Sequence, residues 1–224
     1  MARRVYGCFW LTMAKTITAL KQQKRNPNRV NVYLDGEGAF GLAKIVAAWL
    51  QVGQSLDSDK IEQLLAKDEV EAAVQRALNF LSYRPRSQQE VEVNLRKHGV
   101  TEDIIEQVSA RLRDQRLVDD QAFAQEWVEN RSAFRPRGRY ALRSELRQKG
   151  VADAIIEQTL ADINESDLAR LAAEKKARQL QELDWKEFFK KLSGHLSRRG
   201  FGYEIVVEAS RQAWENQHPG QAAG

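Results

Sequence analysis

The rhythm of apolar and polar residues changes once along this chain, near residue 50. Before that point the period is two. Arg29-Val30-Asn31-Val32-Tyr33-Leu34 alternates, which places Val30, Val32 and Leu34 on one face of a strand. Thr16-Ile17-Thr18-Ala19-Leu20 begins a strand-like run, and Lys21 to Asn28 is a polar, proline-containing connection. Asp35-Gly36-Glu37-Gly38 is a turn signal, and Ala39-Phe40-Gly41-Leu42 returns. This pattern predicts a small antiparallel sheet or hairpin, too small to stand alone, packed on the helices that follow.

After residue 55 the good helix formers Ala, Leu, Gln, Glu, Lys and Arg dominate. Ser58 or Asp57 can cap a helix through Ile61, Leu64 and Leu65. Tyr83-Arg84-Pro85-Arg86 breaks one helix and Gly99 ends the next. Phe134-Arg135-Pro136-Arg137 breaks another, and Gly150 ends the one after.

Those breaks repeat. A shift of 51 residues lays Tyr83–Gln107 over Phe134–Gln158 with eleven of 25 positions identical, far above chance. A shift of 50 carries Leu146, Gly150, Val151, Ile155 and Ile156 onto Leu196, Gly200, Phe201, Ile205 and Val206, a third and more diverged copy. Within one copy, Ser87-x-x-Glu90 is a capping box, Val91 and Leu95 share a face, Gly99 can end the helix left-handed, and Thr101 can cap the next. Ile104, Ile105 and Val108 of that next helix point at a core. Each copy is therefore three helices whose apolar stripes need a stacked neighbour.

The expected fold is mainly α: three tandem three-helix repeats in an elongated array, preceded by a small N-terminal β-hairpin or sheet. The expected bounds are 13–56 for the β-rich segment, then 57–115, 116–164 and 165–217 for the repeats. Residues 218–224 read as a disordered tail. Residues 1–12 read as a non-native or mis-annotated extension, Met13 being an attractive alternative start. Phe123 with Trp127, and Trp185 with Phe188 and Phe189, fall at helical spacing and read as core. Asp184-Trp185-Lys186-Glu187 resembles a second capping box, and Trp214 staples the last helix.

Composition narrows the function. Charged residues make up 29% of the 224 and the net charge is +4, a mild excess that suits any polyanion. One cysteine, Cys8, excludes an internal disulfide. His98, His195 and His218 lie far apart, without metal-ligand spacing, and read as solvent-facing or capping residues. No apolar run approaches the ~20 residues of a membrane span, so a cytoplasmic protein is expected. There is no Walker loop and no Gly-x-Ser-x-Gly elbow. Acidic residues lie along helices without a histidine or cysteine beside them. No catalytic residue, metal, cofactor, membrane or small-molecule substrate is expected.

One segment rises above composition. Arg131, Arg135, Arg137, Arg139, Arg143, Arg147 and Lys149 stand between residues 131 and 149 against the single acid Glu145. Arg139, Arg143 and Arg147 fall four apart, one cationic stripe on a helix. Arg135 and Arg137 crowd the positive N-terminal end of that helix, which is unfavourable for folding alone and suggests an anionic partner. Weaker versions are Arg84, Arg86, Arg96 and Lys97 in the first copy, and Lys190, Lys191, Arg198 and Arg199 in the third. Planar guanidinium forks suit carboxylates and phosphates, so these positions, Lys190 and Lys191 aside, are the candidate partner-binding residues.

The ordered set of motifs resembles the RecX family. It runs through Arg29-Val30-Asn31-Val32-Tyr33-Leu34-Asp35-Gly36-Glu37, Leu81-Ser82-Tyr83-Arg84-Pro85-Arg86-Ser87, and Leu95-Arg96-Lys97-His98-Gly99. It continues with Val118-Asp119-Asp120-Gln121-Ala122-Phe123-Ala124-Gln125-Glu126-Trp127, Leu146-Arg147-Gln148-Lys149-Gly150-Val151 and Arg198-Arg199-Gly200-Phe201-Gly202-Tyr203-Glu204-Ile205. The likeness covers about residues 14 to 215. It implies three tandem three-helix repeats and a regulator that lies in the groove of the RecA–DNA filament. Such a regulator mostly inhibits ATP hydrolysis, strand exchange and repressor cleavage. Single- or double-stranded DNA is a further expected partner. The alternative is a nucleic-acid-binding helical repeat module without a recombinase partner, or a scaffold for some other protein.

Overall fold

The computed structural model describes residues 14–218. The proposed extension at residues 1–12 and tail residues 219–224 lie outside the described residues.

The described residues form two compact bodies, 14–84 with 94–111, and 85–93 with 112–218. In the first, strands β1 (Lys15–Gln22), β2 (Arg29–Leu34), β3 (Glu37–Ala43) and β4 (Ser55–Leu56) make an antiparallel sheet of order β3-β2-β1-β4. The alternation reads out as expected, with Val32 and Leu34 buried beside Ile17 and Leu42. Leu34 pairs with Glu37 across Asp35 (φ 51°) and Gly36 (φ 89°), so both turn residues are left-handed, as a two-residue I′ hairpin requires. Helix α1 (Lys44–Ala47) follows β3, and α2 (Ser58–Leu81) begins at Asp57, whose carboxylate accepts from Lys60 N at 2.7 Å.

Asp68 of α2 ties helix to sheet. Only 9% exposed, it accepts from the Ala43 backbone N–H at 2.5 Å and from Arg29 Nη2 at 2.7 Å. Arg29 also donates to the Gly41 carbonyl at 2.8 Å. The buried charge is thus paired and hydrogen-bonded.

The remaining helices are α3 (Gln88–Lys97), α4 (Glu102–Asp114), α5 (Asp120–Phe134), α6 (Arg139–Gln148), α7 (Asp153–Ala161), α8 (Glu165–Ala177), α9 (Trp185–Ser197) and α10 (Tyr203–Gln217). The three repeats are α2-α3-α4, α5-α6-α7 and α8-α9-α10. Their middle helices end alike. Gly99, Gly150 and Gly200 have φ of 78°, 77° and 81°, and the next residue donates its N–H back to Leu95, Leu146 and Leu196 respectively. This wrap-back bond satisfies a terminal carbonyl and needs a left-handed residue, which explains the repeated glycine.

Stacking repeats as well, inside the second body. Ser87 Oγ donates to the Lys149 carbonyl at 2.5 Å, and at the next joint Gly138 N donates to the Arg199 carbonyl at 2.9 Å. Gln88 N reaches Asp120 Oδ1 at 2.8 Å, and Arg139 N reaches Glu165 Oε1 at 3.0 Å. The start of one repeat's middle helix therefore docks on the glycine turn and first helix of the next.

Apolar clusters hold this body together. Phe123, Val128, Leu142, Leu146, Ile156 and Leu160 form one. Leu168, Phe188, Leu192, Leu196, Val206 and Trp214 anchor another, and Ile163 packs against both. Phe123, Phe188 and Trp214 are core as expected, with Trp127 and Trp185 partly buried against them; Trp214 lies edge-on to Trp185 and Phe188 at 5.5 and 5.1 Å. His218 departs from the expected tail, because its ring stacks on Trp214 at 3.8 Å.

Candidate partner-binding surface

Helix α6 presents Arg139, Arg143 and Arg147 along one face, but the stripe is spent largely inside its own repeat. Arg143 grips Glu157 of α7 with both prongs, at 2.6 and 2.8 Å, and Arg147 Nε holds Asp153 at 2.7 Å. The hydrogen bonds from these arginines, and then their charge, hold Glu157 and Asp153 below the ordinary carboxylate range, and the same bonds raise both guanidinium groups. Arg139 is consumed further. Its guanidinium donates to the carbonyls of Leu160 (2.5 Å), Ala161 (3.3 Å) and Ile163 (2.6 Å), where α7 ends and its carbonyls lack helical partners. The stripe itself has acids beside it: Glu165 lies 3.7 Å from Arg139 Nε, and α7 supplies Glu157 and Asp153 to Arg143 and Arg147.

A second network centres on Glu145. Its Oε1 pairs with Arg137 at 2.8 Å, while Oε2 accepts from Arg131 Nε and Trp127 Nε1, both at 2.8 Å. Arg131 also lies over the Trp127 ring at 4.5 Å, and Lys149 approaches that ring at 5.2 Å while bonding Glu90 at 2.9 Å. In the first body Arg96 grips Glu102 at 2.6 and 2.8 Å, the counterpart of Arg147 with Asp153 one repeat later. Arg84 is exposed and Arg86 half-buried.

Four candidates differ. Lys97, Arg135 and Arg198 are exposed, with no ion pair among the described residues. Arg199 is half-buried, and its guanidinium donates to the Pro136 carbonyl at 3.0 Å. The structure therefore brings Arg135, Arg137 and Arg199 together at the joint between the second and third repeats. It leaves Arg139, Arg143 and Arg147 on the α6–α7 face.

Exposed rings border these residues and were not expected as functional. Phe134 is 69% exposed and Tyr140 75%. Tyr140, Arg143, Ser144, Arg147 and Gln148 line an open groove of about 320 Å³. The signal was present: an aromatic precedes Arg-Pro-Arg in both copies, Tyr83 and Phe134. Among the described residues no acidic, histidine or cysteine group is placed to hold a metal ion, and no helix is long and apolar enough to cross a membrane.

Comparison with known proteins matches four family models in order: the regulatory protein RecX N-terminal domain over residues 15–57, and the first, second and third RecX three-helix domains over 73–112, 119–160 and 164–209. The chain is 33% identical to the regulatory protein RecX of Bacillus licheniformis over 89% of its length and 78% of the relative. It is 34% identical to that of Bacillus subtilis, over 88% and 76%. Among solved structures, a regulatory protein RecX superposes with a TM-score of 0.73 at 28% identity, covering 87% of this chain and 98% of the other. RecX from Lactobacillus salivarius gives 0.60 at 27% identity, covering 66% and 97%.

Proposed function

The chain belongs to the RecX family of regulatory proteins, and on that premise we propose that it binds the RecA recombinase and its DNA filament and mostly inhibits recombinase activity. The activities held down are ATP hydrolysis, strand exchange and repressor cleavage. The observation that carries this reading is the ordered match of all four RecX segments between residues 15 and 209.

The surface supports it. A filament presents carboxylate and phosphate repeatedly, and successive basic joints gain affinity by engaging several at once. Arg135, Arg198, Arg199 and Lys97 meet the filament first in this reading. Arg84, Arg86, Arg96, Arg131, Arg137, Arg143, Arg147 and Lys149 contribute by exchanging internal partners for those of the filament. Arg139 serves α7 instead.

The competing reading, a nucleic-acid-binding module without a recombinase, draws on the convergence of Arg135, Arg137 and Arg199. Co-sedimentation separates the two. Filament binding predicts weak retention on bare DNA and strong retention on RecA-coated DNA. Equal, steeply salt-dependent retention on both would favour the module.

A further inference from the structure

Arg135, Arg137 and Arg199 gather where the second repeat joins the third. The Arg199 bond to the Pro136 carbonyl seats its guanidinium on the middle of the turn, with Arg135 before it and Arg137 after it. Burial and then the positive charges of Arg137 and Arg135 lower the affinity of Arg199 for its proton. Glu145 is already divided among Arg137, Arg131 and Trp127. Like charges gathered at a partly buried joint call for an anion from outside.

What stands beside them narrows its chemistry. Phe134, the last residue of α5, holds its ring 69% exposed immediately before Arg135. Tyr83, 83% exposed, stands at the same place before Arg84 in the first copy. A carboxylate on an acidic protein would use the arginines and leave these rings idle. An unpaired nucleotide uses both, since its phosphate takes guanidinium forks and its base offers a face to stack on.

We propose that Phe134, Arg135 and Arg137, completed by Arg199 from the following repeat, form a clasp for one nucleotide of an extended single strand. Arg135 and Arg199 hold the phosphate oxygens, and Phe134 stacks on the base. The clasp deepens the filament-binding reading and rests on it for the strand that is presented. Its place in the molecule rests on the joint alone.

The test is anisotropy of a labelled oligo-dT titrated with the full-length protein over a range of salt concentrations, without recombinase. Arg135 and Phe134 are exposed, so Arg135→Ala and Phe134→Ala should keep the wild-type thermal midpoint. Arg135→Ala is expected to weaken oligo-dT binding and to reduce the slope of log affinity against log salt by about 1. Phe134→Ala is expected to weaken binding at least about fivefold with the slope unchanged. A Phe134→Ala variant with wild-type oligo-dT affinity overturns the clasp, as does an Arg135→Ala variant with an unchanged salt slope. Polyglutamate titrated in parallel reports the acidic-protein reading: a loss in Arg135→Ala confined to polyglutamate also overturns the clasp. Failure here leaves recombinase inhibition standing. Failure to inhibit the recombinase leaves the oligo-dT result standing.

Discussion

The backbones of Gly138 and Gly200 are in direct contact: a Cβ added to Gly138 would overlap the Gly200 carbonyl. The same meeting brings Gly138 N to the Arg199 carbonyl at 2.9 Å. Because the obstacle is backbone, a small rotamer change cannot relieve it. Gly138→Ala should lower stability by about 1–3 kcal/mol, read by urea denaturation. Gly202→Ala, with open space around the same built atom, should stay within about 1 kcal/mol.

Asp68 is the acceptor that fastens β3 and Arg29 to α2. Asp68→Ala leaves the Ala43 N–H and the Arg29 guanidinium short of a partner in a part-buried place. It should cost about 3–5 kcal/mol. The readout is denaturation followed by hydrogen exchange, with β2 and β3 losing protection first.

Arg139 and its two neighbours on α6 should respond differently to mutation. Arg139→Gln strips donors from three carbonyls at the end of α7 and should destabilise by about 1–3 kcal/mol. Arg143→Ala and Arg147→Ala remove exposed pairs, so their thermal midpoints should move little, and less at high salt. The pairs with Glu157 and Asp153 contribute above the ordinary carboxylate range. That contribution fades as pH falls through their lowered values, and Glu157→Gln should flatten the acid limb slightly.

His195 on α9 sets a second pH dependence. Burial first, then Arg199, Lys176 and Arg198, disfavour its protonation. The unfolded chain therefore takes up a proton more readily than the folded one. Stability from this group is full above the unfolded value near 6.5 and declines as pH falls below it. Thermal midpoints measured from pH 7.5 to 5.5 should fall, and His195→Gln should reduce the slope.

Local signals were legible where local chemistry decides structure. The glycines at 99, 150 and 200, the caps at Asp57 and Asp184, and the Asp35-Gly36 turn each satisfy backbone groups within a few residues. Ser87 accepts from Glu90 N at 3.2 Å, the first half of its capping box, but its hydroxyl also reaches Lys149, 62 residues away. Strand β4 was not legible, since Ser55 and Leu56 become a strand only by pairing with Thr16 and Lys15. The internal partners of the arginine stripe were hidden for a related reason. Counting charge from 131 to 149 stopped short of Asp153 and Glu157, which the α6–α7 turn folds back onto it. The exposure of Phe134 and Tyr140 was equally hidden, because helical spacing marks a face without saying what covers it.

The proposed regulation of RecA through its filament is read by single-stranded-DNA-dependent ATP hydrolysis by RecA. Adding the protein at substoichiometric ratios to preformed filaments should depress the steady-state rate in a concentration-dependent manner. The Arg135→Ala, Arg198→Ala, Arg199→Lys triple variant should require more protein for the same effect. A hydrolysis rate that stays at the RecA-only value at equimolar protein would rule out the proposed inhibition.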